Sequence, residues 1–343
     1  MDPVAALEEI AFLLERDRAS KFKSKAFRRA ADVIGTYSAD ELAERVRDGR
    51  MKRTAGIGAT TYAIIAEAVA GQVPAYLVDL RERSGPAIAA AGDGLRAKLK
   101  GDLHSHTEWS DGTTPIITMA RAAQLVGLEY LVISDHSPNL TIANGLSAER
   151  LEEQLDVLDE LNAVTELGGS GIRLLSGIET DILLDGALDQ TPEMLDRLDI
   201  VVASVHSKLR TESREMTERM LRAIETPRMN VLGHCTGRLV EGSRGTRPQS
   251  TFDARAVFAA CAEYDVAVEI NSRPERQDPP DELIQLALEA GCLFSIDTDA
   301  HAPGHFSFLD LGAARAEANG VPAERIITTW SADRLLEWAR AKG

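Results

Sequence analysis

The strongest constraint on this chain is a series of seven short, largely apolar runs spread through its last two thirds: Ala97–Leu103, Tyr130–Ile133, Arg173–Ser176, Ile200–Ser204, Val231–Gly233, Ala267–Ile270 and Leu293–Ile296. Continuous rather than alternating apolar character predicts strands buried on both faces. Helical periodicity fills the gaps, as in Ile116–Val126, Ala148–Leu167, Glu215–Ile224, Ala254–Tyr264 and Asp281–Ala290. Strands alternating with helices predict a parallel α/β sheet, and seven units in about 240 residues fit a closed barrel better than an open sheet.

The first hundred residues read differently. Val4, Leu7, Ile10, Ala11 and Leu14 fall at helical spacing behind Pro3, and the pattern repeats over Ala26–Ile34, Ala39–Val46 and Thr60–Ala70. No segment here has a period of two, so a small all-helical module over 1–84 is expected. The Gly/Pro-interrupted stretch SGPAIAAAGDG predicts a linker over 85–99, ahead of a barrel domain over 100–343. Residues Arg16 to Arg29 hold seven basic side chains and one acidic. Gly56-Ile57-Gly58 opens a helix, where unpaired N–H groups can receive a phosphate; a plain interhelical turn is the competing reading.

Chemistry concentrates where the runs end. His104-Ser105-His106 and Asp111 follow the first, Asp135-His136 the second and Glu179 the third. His206 follows the fourth, His234 the fifth, and Asp297-Thr298-Asp299-Ala300-His301 the seventh. In a parallel barrel these ends meet on one face. His-x-His on an extended strand puts both imidazoles on the same side, and Asp299-x-His301 is expected to repeat that geometry. One such histidine alone would read as a structural hydrogen-bonder; six of the chain's seven, with three carboxylates, read as metal ligands. Nine donors exceed one coordination sphere and fit two or three ions sharing Glu179. Imidazole and carboxylate without thiolate suit zinc, manganese or iron. His305 lies past the last run and reads as a loop residue.

These segments, LHSHTEWSDGT, ISDHSPNLTIANGLS, GIETDIL, VVASVHS, GHCTGRL, EINSRPERQD and FSIDTDAH, resemble the PHP (polymerase and histidinol phosphatase) domain, most closely that attached to bacterial family X DNA polymerases. The resemblance covers 101–343 and implies a distorted, TIM-like (β/α)7 barrel with three divalent ions. It assigns His104, His106, Glu179 and Asp299 to one ion, Asp111, His136 and His301 to a second, and Glu179, His206 and His234 to a third. Cys235 stands where relatives usually have proline. KFKSKAFRRAADVI and RTAGIGATTYAIIAEAVAGQVPAYLVDLRER resemble the helix-hairpin-helix lyase module of the same polymerases. That resemblance implies DNA-phosphate contacts by Gly56, Gly58, Lys21, Lys23, Lys25, Arg28 and Arg29. The Schiff-base lysine of that module falls at Ile64 here, and the polymerase palm and fingers are missing between the two segments.

The expected reaction is in-line hydrolysis of a phosphate ester by metal-bound hydroxide. Arg238 and Arg276 are candidates for binding phosphate oxygens, with solvated ion pairs as the competing reading. Asp135 and Asp297, each beside a ligand, are expected to orient imidazoles, and Ser137–Ser147 to form a rim or lid. The expected substrate is a DNA 3′ end, through 3′–5′ exonuclease or 3′-phosphatase activity. The alternatives are a small phosphomonoester, as in histidinol phosphatases, and a non-catalytic DNA-binding or repair scaffold.

Charge bears on that choice. Residues 1–100 carry 17 basic against 14 acidic side chains, whereas the other 243 carry 21 against 40, so only the first segment suits nucleic acid unaided. Three separated cysteines exclude a disulfide framework, no apolar run is of membrane-spanning length, and no signal peptide precedes the first helix. A cytoplasmic location is therefore expected.

Overall fold

The computed structural model describes residues 1–84, 94–168, 171–242 and 245–341. It divides into two compact units, one of residues 1–90 with 303–307 and the other of 91–302 with 308–343.

The first unit is helical: α1 (Pro3–Arg16), α2 (Lys21–Gly35), α3 (Ala39–Arg47), α4 (Ala59–Val69) and α5 (Ala75–Ser84). The side chain of Asp2 accepts the Ala5 N–H at 2.7 Å, capping α1. Leu7, Ile10 and Leu14 of α1 are buried with Ile34 of α2, Ile64 and Ile65 of α4 and Leu77 of α5. Burying each such aliphatic side chain contributes about 1.5–3 kcal/mol. Ile64 is therefore a core residue, and no nucleophile occupies its position.

The second unit holds seven strands: β1 (Gly101–Asp102), β2 (Tyr130–Ile133), β3 (Arg173–Asp181), β4 (Ile200–Ser204), β5 (Val231–Leu232), β6 (Ala267–Asn271) and β7 (Phe294–Asp297). They form one sheet in chain order, every neighbouring pair parallel. The helices α6 (Ile116–Leu125), α7 (Ala148–Gly168), α8 (Pro192–Leu195), α9 (Ser213–Ile224), α10 (Ala254–Glu263) and α11 (Asp281–Ala290) lie between strands in sequence, and α12 (Leu309–Ala318) and α13 (Ala332–Arg340) follow β7. This is the expected nearly closed parallel barrel, preceded by helices. Its seam lies between β7 and β1, which share no regular ladder among the described residues. Beyond the strand ends, His106 N–H donates to Ala300 O (2.7 Å) and Ala300 N–H to His104 O (3.2 Å).

Side chains replace backbone partners at that seam. Asp297 Oδ1 accepts the Leu103 N–H (2.7 Å), and Asp102 accepts the His104 N–H (3.0 Å) and both donors of Thr298. β1 spans only two residues, although the apolar run began at Ala97, because Leu95–Lys98 wind into a 3-10 helix before it. Residues 94–99, placed by the sequence in the linker, belong to the barrel unit. Leu95 is buried and Arg96 pairs with Asp310 at 3.0 Å. The remainder of the expected linker, 85–93, lies outside the described residues. β3 runs five residues further than its apolar core because Gly177 admits its neighbours. A Cβ there would stand 2.4 Å from Val132 Cγ1 and 2.9 Å from Ile200 O. Ile327, Trp330 and Leu335 pack against Tyr130, Ile200, Val231 and Ala267 near the strand starts, leaving the strand ends for the site.

Candidate metal centre

Glu179, inside β3 and 1% exposed, is the hub. Its Oε2 lies 2.8 Å from His136 Nδ1, 3.2 Å from His104 Nε2 and 3.5 Å from His106 Nε2. Its Oε1 lies 2.9 Å from His234 Nε2 and 3.1 Å from His206 Nε2. A second carboxylate, Asp111 Oδ1, lies 3.2 Å from His301 Nε2 and 3.6 Å from His136 Nε2. Asp299 Oδ1 is 3.4 Å from His106 Nε2. All nine expected ligands converge. Three sets of donor atoms lie mutually within 4.8 Å: His106, Asp111, His136 and His301; His104, His106 and Glu179; and His136, Glu179 and His206.

These short separations are not hydrogen bonds. Both Glu179 oxygens, both ring nitrogens of His106, His206 and His234, and His104 Nε2 are buried without a hydrogen-bond partner. Orphaned polar atoms cost about 1–3 kcal/mol each, so the cluster is satisfied only when something else binds it. Imidazoles and carboxylates sharing one bridging residue fit two or three divalent cations of the zinc, manganese or iron type. No thiolate competes: the three cysteines are buried, and Cys235 Sγ is directed to Asp278 Oδ1 (3.9 Å).

At His104, His106, His206 and His234 burial favours neutral imidazole, and local charge then sorts these rings. Glu179 and Glu269 overcome desolvation at His104 and raise its pKa; Glu179 and Asp181 lift His206 to about 9. His106 goes down because burial is reinforced by His301 and His136. Glu179 itself is held low, against its burial, by His104, His206 and His136.

The residues orienting the ligands differ from those expected. Glu269 in β6 meets His104 Nδ1 at 2.6 Å, which assigns the proton to Nδ1 and leaves Nε2 for a cation. Asp181 Oδ1 takes the backbone N–H of His206 at 3.1 Å. Asp135 instead accepts from Thr107 N–H (2.8 Å), Thr107 Oγ1 (2.6 Å), Gln154 Nε2 (2.7 Å) and Ser110 Oγ. With its lone pairs so used it neither faces an imidazole nor acts on substrate, and Asp297 serves the barrel seam. Asp299 also departs from the expected alternation. Its φ of +51° is left-handed, so a turn brings Asp299 and His301 together, with His301 Nδ1 2.9 Å from the Asp299 carbonyl.

A cavity of about 440 Å³ opens on this cluster, lined by Asp111, His136, His206, His234, Asp299 and His301. Arg210, Arg247, Arg273 and Arg276 line it as well. Arg276 donates to Asp299 Oδ2 (3.0 Å) and stays at the cavity. Arg238 does not line it: its guanidinium donates to the Arg276 carbonyl (3.1 Å) and to the Gln277 carbonyl, so it shapes the loop after β6. Sequence reasoning missed Arg210, Arg247, Arg273, Glu269 and Asp181. A carboxylate inside a buried strand (AVEIN, GIETD) was an available signal for the last two.

In the helical unit, Lys21, Lys23, Lys25 and Arg29 are exposed, but Arg28 makes a bidentate pair with buried Glu15 (2.7 and 2.8 Å). Gly56 has φ +90° and lies against Arg29. The Ile57 N–H donates to Thr54 O and the Gly58 N–H to Thr61 Oγ1, so neither is free for phosphate.

A family model described as "PHP domain" matches residues 102–273, half of the chain. The chain is 36% identical over 233 residues to "DNA polymerase/3'-5' exonuclease PolX" of Bacillus subtilis (strain 168), which takes in 67% of this chain and 39% of that protein. It is 28% identical over 260 residues to a "Probable phosphatase" of Aliivibrio fischeri (strain MJ11), covering 71% of this chain and 94% of the relative. Among solved structures, histidinol phosphate phosphatase from Lactococcus lactis subsp. lactis Il1403, complexed with zinc, L-histidinol and phosphate, shares the fold. That match has a TM-score of 0.50 and 19% identity, over 65% of this chain and 94% of that one.

Proposed function

Because this chain belongs to the PHP domain family, whose model covers half of it, we propose that it is a phosphomonoesterase for small phosphorylated compounds. It is a metal-dependent hydrolase of phosphoester bonds with a trinuclear type of site. The observation that carries the finer reading is the shared cavity: six of the metal donors and four arginine side chains around about 440 Å³, a volume suited to a small ligand. Relatives described as probable phosphatases, matched over 94% of their length, support it. His104, His106, Glu179 and Asp299 would hold one zinc or manganese ion, Asp111, His136 and His301 a second, and Glu179, His206 and His234 a third. The ions supply Lewis acidity toward the phosphoryl oxygens and a nucleophilic water near neutral pH.

The chain's own groups do the rest. Glu269 fixes the His104 tautomer, and Asp181 braces His206 through its backbone. Arg210 and Arg276 meet the charge of a bound phosphoryl group, which grows on the non-bridging oxygens as the ester bond breaks. Overall, water oxygen bonds to phosphorus, the phosphorus–oxygen ester bond breaks and the alcohol leaves with a proton. The test is a panel run with zinc- or manganese-loaded full chain: phosphorylated metabolites, histidinol phosphate among them, beside DNA 3′ ends bearing hydroxyl or phosphate. Inorganic phosphate from small monoesters is expected. Release of nucleotides from DNA with no turnover of monoesters would overturn the reading.

A second reading, action at DNA 3′ ends, draws on the 36% identity to the Bacillus subtilis protein and on the exposed cations of α2. In it, Lys21, Lys23, Lys25 and Arg29 contact the phosphate backbone and the helical module over 1–84 recruits the DNA.

A further inference from the structure

Part of the cavity lining is neither metal donor nor cation. Leu140, Ile142 and Ala143 reach it from the segment between β2 and α7, and Leu239 from the segment after β5. Ile142 is 93% exposed. Ala143 is buried and Leu140 and Leu239 are half-buried, so Ile142 is the exposed member of an apolar set that lines the cavity holding the chemistry.

The segment bearing them is held in place independently of any ligand. The Asn139 N–H donates to Asp189 Oδ2 (2.7 Å) and its amide to Asp181 Oδ2 (2.5 Å). Arg150 donates to the carbonyls of Asn144 (2.8 Å), Gly145 (3.2 Å) and Trp109, and the Leu146 N–H to His136 O (2.7 Å). Gly145 passes so close to Ser137 that a Cβ would lie 1.8 Å from its carbonyl oxygen. Ties at both ends make this segment a fixed rim rather than the hinged lid that its sequence also allowed, and Ile142 stays at the mouth.

We propose that this apolar shelf is the leaving-group subsite, and that the preferred substrates are phosphate monoesters whose alcohol carries hydrocarbon surface rather than hydroxyls or charge. The inference rests on the phosphomonoesterase reading. A phosphoryl group held by the metal donors and guanidinium groups has to project its ester substituent into the remaining part of the same cavity. A hydrocarbon substituent gains by leaving water against Leu140 and Ile142. A polyol against Leu140 and Ile142 would lose hydration to side chains that offer it no hydrogen bonds.

The test compares kcat/KM for n-butyl phosphate and glycerol 1-phosphate, both primary alkyl esters, with metal-loaded full chain. Wild type is expected to favour n-butyl phosphate by about tenfold or more, through KM. Ile142→Asn should reduce that preference several-fold, Ile142→Val should largely retain it, and Leu125→Asn, an exposed apolar site outside the cavity, should leave it unchanged. Calorimetric binding of n-butylphosphonate against methylphosphonate gives a readout independent of turnover and should show the same order. Equal kcat/KM for the two esters, or a preference indifferent to Ile142→Asn, overturns the shelf while leaving the phosphatase reading intact. No phosphate from any monoester overturns that reading and the shelf with it.

Discussion

At the scale of single residues, the site is governed by which groups hold the ligands rather than by the ligands alone. Glu269 is fully buried against His104, and its other oxygen accepts the His234 backbone N–H at 2.5 Å, so one strand residue braces the His104 imidazole directly and His234 through its backbone. Glu269→Gln keeps the shape but removes the charge that favours the Nδ1 proton. Zinc affinity is expected to fall by about 10- to 100-fold, read by competition with a chromophoric chelator. Unchanged affinity would show that Glu269 only packs. Proton competition sets a second expectation. His206, raised to about 9, and His104, also raised, hold protons near neutral pH in the metal-free chain. A cation must displace them, so zinc affinity should tighten between pH 6 and pH 9, by up to about tenfold per unit for each proton released. Calorimetry in buffers of different ionisation enthalpy counts those protons directly. A flat pH profile would contradict the raised values.

At the scale of elements, backbone proximity decides which strands can carry ligands to the hub. Gly177 precedes Glu179 by two residues, and its contacts with Val132 and the Ile200 carbonyl set the spacing of β3 from both neighbours. Gly177→Val should cost about 1–3 kcal/mol or more, because one obstacle is backbone and cannot rotate away. Urea unfolding of the metal-free chain measures this, and a loss below 0.5 kcal/mol on the order of ordinary surface substitutions would refute the close-packing account. In α2, sequence position suggested one basic patch, but the helix has two faces. Arg28 turns inward to Glu15, while Lys23 and Arg29 remain exposed. In the second functional reading, Lys23→Glu with Arg29→Glu should weaken DNA binding by at least tenfold at low salt and flatten its salt dependence, while phosphate release from small monoesters stays as in wild type. Arg28→Ala should show itself in thermal stability instead.

At the scale of the whole molecule, the metals and the fold are thermodynamically one system. The hub's orphaned donors are satisfied by cations, and no competing thiolate site exists among the described residues. Chelation should therefore lower the thermal midpoint of the barrel unit, and restoring zinc or manganese should recover it. Saturation at 100 times Kd corresponds to about 2.7 kcal/mol. A midpoint insensitive to chelator would mean that the donors hold no ion at that concentration. The formal charge of −16 misdescribes this working state, because three divalent cations would offset much of the local acidity.

The sequence by itself determined the barrel and the convergence of nine donors. Buried parallel strands require continuous apolar runs, and parallel strands necessarily deliver their C-terminal ends to one face. Every donor was therefore legible as a residue following a run. Tertiary structure alone decided which neighbours serve the donors. Asp135 stands beside a ligand in sequence yet turns to Thr107 and Gln154, while Glu269, 165 residues from His104, supplies the orienting carboxylate. Arg238 and Arg276 were equivalent as sequence, but only the latter reaches the cavity, because the former is bound to the loop carbonyls behind it. Side-chain partners across a barrel are set by which strands pair and where each loop turns. That long-range geometry leaves no periodic trace in the chain.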